Sequence, residues 1–104
     1  MRLRRFEILL PCRLNDGTPI DAALFGLTHV ELLRQLGGVT IHPGTVHGKW
    51  LHEGIEYDDQ LVRLVVDVPD TDESHEFFAG FKETLKERFR QVEVWITSHP
   101  IDRT

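Results

Sequence analysis

An α+β domain, with one antiparallel sheet covered on one face by two helices, is predicted by three observations. Residues Leu61 to Val68 alternate, with Val62, Leu64, Val66 and Val68 on one parity and Leu61, Arg63, Val65 and Asp67 on the other. This is β-branched, period-2 patterning with one fully apolar face. Further on, Phe78, Phe81, Leu85 and Phe89 recur at steps of three and four, which makes one apolar stripe on a helix. Glu53-Gly54 stands between two extended runs where glycine can take a positive φ and close a hairpin.

The chain in order gives the rest. Leu3 to Leu14 reads as the first strand, with Phe6, Ile8, Leu10 and Cys12 inward and Pro11 near its end, because proline cannot donate to a ladder. Asn15-Asp16-Gly17 closes it. Thr28 and Glu31 have capping-box spacing, and Leu27 with Leu32 matches a hydrophobic staple, so the first helix is expected to start at Thr28. Gly37-Gly38 stops it. In the hairpin, a two-residue turn sets Trp50 opposite Tyr57 and Lys49 opposite Asp58. The second helix is expected from Asp70 or Thr71, acidic in its first turn and basic in its last, as the macrodipole prefers. Gly80 in its middle suggests a close backbone contact. The last strand is expected over Gln91 to Ser98, with Val92, Val94 and Ile96 inward and Pro100 beyond its end.

The order β-α-β-β-α-β is the ferredoxin-like plan, a four-stranded antiparallel sheet with two helices on one face and strand order 4-1-3-2. A length of 104 residues fits one domain spanning 1–104.

Composition bounds the function. The net charge of −5 argues against nucleic acid and anionic membrane surfaces as partners. No apolar run approaches the ~20 residues of a membrane-spanning helix. The single cysteine, Cys12, can form no internal disulfide, and the start lacks a signal-peptide core, so a cytoplasmic location is expected. No phosphate-cradling glycine loop, nucleophile elbow or paired-cysteine motif is present, and no cofactor is expected.

The parity argument exposes the second sheet face. It should carry Arg5, Glu7, Leu9, His42, Trp50, Tyr57, Asp59, Leu61, Arg63, Val65, Glu93, Trp95 and Thr97. That is too much apolar surface for a face left in water. A homodimer packed through this open face is the first expectation, giving an interaction or structural module. A small-molecule pocket on the same face is the second. It would be walled by Trp50, Tyr57 and Trp95, with His42, Asp59 and Arg63 as polar handles, in a binder or a cofactor-free enzyme. A metal-binding protein or metal-dependent hydrolase is the third, suggested by His42, His47 and His52 at intervals of five beside Asp58 and Asp59. Strand geometry counts against it, because His42 and His47 differ in parity. Only a bulge at Pro43-Gly44, or a loop in place of straight strand, would bring two of the histidines together.

Gly38-Val39-Thr40, Gly48-Lys49-Trp50, Gly54 and Phe89-Arg90-Gln91 followed by Val92-Glu93-Val94 form a further pattern. It resembles a family of small uncharacterised bacterial domains in which a G-x-T … G-x-W … G hairpin precedes an acidic helix ending RFGQ and a closing strand. Arg90 stands where that pattern has glycine. The resemblance implies the fold and names no catalytic residue.

Overall fold

The computed structural model describes residues 2–104. Its elements are β1 (Leu3–Pro11), α1 (Ala22–Leu36), β2 (Thr40–Ile41), β3 (Val46–His52), β4 (Ile55–Pro69), α2 (Asp72–Arg88) and β5 (Trp95–Ile101). The sheet runs β2-β4-β1-β5, with β3 also on the free side of β4, and every pairing is antiparallel. Since β2 and β3 share one edge, they are the expected second strand broken in two. The order is therefore the predicted ferredoxin-like 4-1-3-2 with one interrupted strand.

The break has a simple count. His42 N–H donates to the Arg63 carbonyl at 3.1 Å, and Val46 pairs with Leu61. Three residues, Pro43 to Thr45, thus oppose Val62 alone. A bulge does interrupt the strand at Pro43-Gly44, with Gly44 at φ 74°. Because it inserts two extra residues, parity survives it, and His42 and His47 still face opposite sides.

Inside the sandwich, Phe6, Ile8, Leu10, Leu64, Val66 and Val68 meet Leu32, Phe78, Phe81, Leu85, Phe89 and Val94 in one core. Phe6 and Phe78 stack at 3.9 Å between ring centroids. The stripe predicted for α2 is buried along its whole length, and Thr71 caps the helix by accepting from Ser74 N–H at 3.2 Å.

Three expectations are corrected. First, α1 begins six residues early, capped by Asp21, whose carboxylate accepts from Ala23 N–H at 2.9 Å. Thr28 is instead a fully buried mid-helix residue whose hydroxyl donates to the Leu24 carbonyl at 2.8 Å. It also accepts from Arg88 Nη1 at 2.9 Å, while Arg88 Nη2 reaches Glu31 at 2.7 Å, so the supposed capping box ties α1 to α2. Second, nothing approaches Gly80, which lies on the solvent side. Third, β5 starts at Trp95 and runs through Pro100, and Val92 is 88% exposed. An edge strand tolerates that proline. The chain turns sharply before the strand, where Arg90 is left-handed at φ 52°. That is the position where the resembled pattern has glycine, the residue that takes such a φ without strain.

The hairpin closes as predicted, with Trp50 opposite Tyr57, Lys49 opposite Asp58 and His52 opposite Ile55. Glu53 and Gly54 have φ 52° and 78°, the positive pair of a type I′ turn. Most of this hairpin runs past the helices, and residues 49–60 are all exposed. The radius of gyration is 14.5 Å, against about 13 Å for a compact chain of this length. The longest extent, 44 Å, agrees with a projecting arm.

Candidate functional site

Side chains on the open sheet face divide into a charged half and an apolar half. The charged half lies over the middle of β1 and β4. Arg63 forms a two-pronged bond to Glu7, Nε to Oε1 at 2.7 Å and Nη2 to Oε2 at 3.0 Å. Arg63 Nη1 also lies against the His42 ring, 2.7 Å from Nε2 and 3.4 Å from Nδ1. Beside it, Arg5 grips Asp67 in the same bidentate way, at 2.8 and 2.9 Å. The guanidinium of Arg63 holds the Glu7 carboxyl below its ordinary range, and Arg5 does the same to Asp67, with burial partly opposing each. Val65, between these pairs, is only 7% exposed. The charges therefore close this half of the face themselves.

Toward the arm the face turns apolar and concave. Leu9 of β1, Val46 of β3 and Leu61 of β4 make the floor of a cleft of about 540 Å³, with Trp50 and Trp95 as walls. Pairing sets this up. Leu9 stands opposite Trp95 on β5, Leu61 stands opposite Val46, and Trp50 follows two residues after Gly48 on the same strand face. A Cβ at Gly48 would collide with the Trp50 ring and would lie 3.4 Å from Leu61. Glycine here lets the indole lie down along the strand. Even so, Trp50 is 45% exposed and Trp95 63% exposed.

At the rim, Glu93 binds Lys82 Nζ at 2.9 Å and accepts from Val94 N–H at 3.0 Å, and these contacts lower its pKa. Asp59 and Gln91 also line the cleft. A smaller polar hollow of about 270 Å³ adjoins it, lined by Arg13, His47, Asp58 and Asp59. His47 Nδ1 lies 3.6 Å from Asp58, and both side chains are more than half exposed. His47 has the parity of the helix-covered face but is a surface residue, because the arm carries it beyond the helices. Among the described residues, no three histidine, cysteine or acidic side chains converge as a metal site.

Of the six predicted site residues, the structure places Trp50, Asp59 and Trp95 around the cleft. His42 and Arg63 belong to the Glu7 cluster, and Tyr57 sits farther out on the arm opposite Trp50. The residues that sequence reasoning left out are Val46, Gly48 and Gln91. Gly48 had a readable signal, a glycine two positions before a tryptophan in a strand. Gln91 had none, because its position depends on the turn at Arg90. Cys12 is partly buried, and burial raises its thiol pKa, so it does not behave as an activated nucleophile.

No protein-family model matches the chain, and no curated protein matches it. Solved structures do. A divalent cation tolerance protein (CutA1) from Thermus thermophilus superposes with a TM-score of 0.67 at 19% identity, covering 98% of this chain and 86% of that one. The periplasmic divalent cation tolerance protein CutA from Archaeoglobus fulgidus gives 0.66 at 16% identity, with 98% and 86% covered. A phage SAM lyase in complex with S-methyl-5′-thioadenosine gives 0.68 at 11% identity, with 97% and 90% covered. At such identities the likeness is one of fold, and it spans nearly the whole chain.

Proposed function

We propose that the chain is a self-associating binding module. In this reading the aromatic sheet face and arm take a second copy of the chain, and the cleft between the tryptophans holds a small molecule. One observation carries it: Trp50 and Trp95 flank an apolar cleft of about 540 Å³ while remaining 45% and 63% exposed. That volume lies within the range of ligand pockets. Two indoles left in water beside Leu9, Val46 and Leu61 make a patch that association would cover. The phage SAM lyase shares the fold and is complexed with a nucleoside-derived small molecule, which supports the ligand half of the reading.

The test is sedimentation equilibrium of untagged protein at micromolar concentration, paired with acrylamide quenching of tryptophan fluorescence. A mass of two or more chains with shielded tryptophans is expected. A monomer with both indoles fully quenchable would refute self-association.

A second reading, the handling of divalent cations, is favoured by the names of two structural neighbours and by the pairing of His47 with Asp58 in the polar hollow. Arg13 in the same hollow opposes a cation there. Elemental analysis of chelator-free protein decides it. About one metal per chain, lost in an Asp58→Asn variant, would put this reading first.

A further inference from the structure

Resting on the reading of the cleft as a ligand site, we infer that its ligand is a small organic cation, with a methylated onium or similar head group held against the indoles. Three features of the cleft converge on that chemistry. Its walls are Trp50 and Trp95, and tryptophan is the aromatic side chain that attracts cations most strongly. Its acidic members are Asp59 and Glu93, and no lysine or arginine is among the residues that line it. Glu93 is already answered by Lys82 at 2.9 Å, whereas Asp59 enters no ion pair among the described residues. Its floor is aliphatic, so a fully hydrated metal ion or a phosphate gains nothing there, while methyl groups on a charged centre do.

The rest of the molecule leaves that preference in place. Arg63 and Arg5 on this face are each clamped by a carboxylate, and Arg13, which lines the adjoining hollow with Asp59, forms no ion pair with it and donates instead to the Gly17 carbonyl at 3.1 Å. His47 at the mouth leans toward Asp58. The chain as a whole carries a net charge of −5. A neutral nucleoside could stack on the same indoles, but it would leave Asp59 without a counter-charge.

The experiment is isothermal titration of the full chain with three probes: choline, its uncharged isostere 3,3-dimethylbutan-1-ol, and adenosine. Choline is expected to bind at least about tenfold more tightly than the isostere, a difference of about 1.4 kcal/mol. Asp59→Asn should weaken choline about tenfold, and Trp95→Leu should remove binding. Glu93→Gln should matter less, because Lys82 already neutralises it. The preference should also shrink as salt rises. Equal binding of choline and the alcohol, or tighter binding of adenosine, would overturn the cation inference while leaving the cleft as a ligand site. Binding of none of the three would overturn both. Sedimentation of the same samples keeps the outcome separate from self-association, since an oligomer that binds none of the three still stands as an oligomer.

Discussion

The two halves of β4 have the same backbone geometry and opposite surroundings. From Leu61 to Val68 the strand lies between β1 and the split edge strand, under the helices, and its inward residues Leu64, Val66 and Val68 are buried. From Ile55 to Gln60 its ladder is with β3, apart from Cys12 N–H donating to the Gln60 carbonyl at 3.1 Å, and every residue is exposed. The strand itself is continuous through both. What separates them is apolar cover, and a two-stranded ribbon without cover is marginally stable alone. The arm is therefore expected to hold its shape through contacts beyond its own chain, which is where the aromatic face becomes relevant.

The largest effect expected from this contrast is on the inner half. Leu64→Ala should cost about 2–5 kcal/mol of unfolding free energy, measured by urea denaturation, because the side chain is fully buried against a packed core. A loss below about 1 kcal/mol would mean that the inner half is no better packed than the arm.

The two left-handed residues give a matched pair, since Glu53 in the arm and Arg90 in the body both have φ 52°. Arg90→Gly should raise global stability by about 1 kcal/mol by relieving that strain. Glu53→Gly should change the urea midpoint little, because an arm that opens separately does not report on global unfolding. Equal gains from both would show that arm and body unfold as one unit.

Smaller in stability is Trp50→Ala, which deletes the cross-strand pair with Tyr57 and should cost about 0.2–1 kcal/mol in the single chain. Its larger effect should appear in sedimentation, as loss of the associated species. Unchanged association would move the interface off this face.

The smallest effect is the response to acid. The carboxyls of Glu7, Asp67 and Asp70 are held below the ordinary range by Arg63, Arg5 and Arg4. A lowered folded-state pKa stabilises at pH values above the unfolded value, about 4, and the contribution is lost as pH falls through the folded pKa. Stability should therefore decline as pH falls below about 5 and through the lowered folded-state values, and Glu7→Gln should flatten part of that slope. These pairs are partly solvated, so the slope should be shallow.

Much of this was legible in the chain itself, and the misses have specific causes. The hairpin register was readable because a two-residue turn at Glu53-Gly54 leaves one pairing, and the α2 stripe because four large side chains share a helical face. The start of α1 was misread because Thr28-x-x-Glu31 has capping spacing. Only the packing of α2 shows that both side chains serve Arg88, sixty residues away from Thr28. Val92 was misread because strand alternation was extended through a turn that Arg90 makes in a conformation rare for its residue type. For the site, parity grouped the strand residues of the open face, but could not divide that face into a charged and an apolar half.

Local alternation, turn chemistry and helical spacing determined the ferredoxin-like order, the core and which side chains share a face, since each depends on neighbours a few residues apart. Tertiary structure alone decided that Arg63 and His42 turn toward Glu7, that Trp50 lies over Gly48, and that Gln91 and Trp95 complete a cleft with Val46. Except for Trp50 over Gly48, those contacts join elements distant in sequence, and side-chain direction along a strand is set by whatever the fold places beside it.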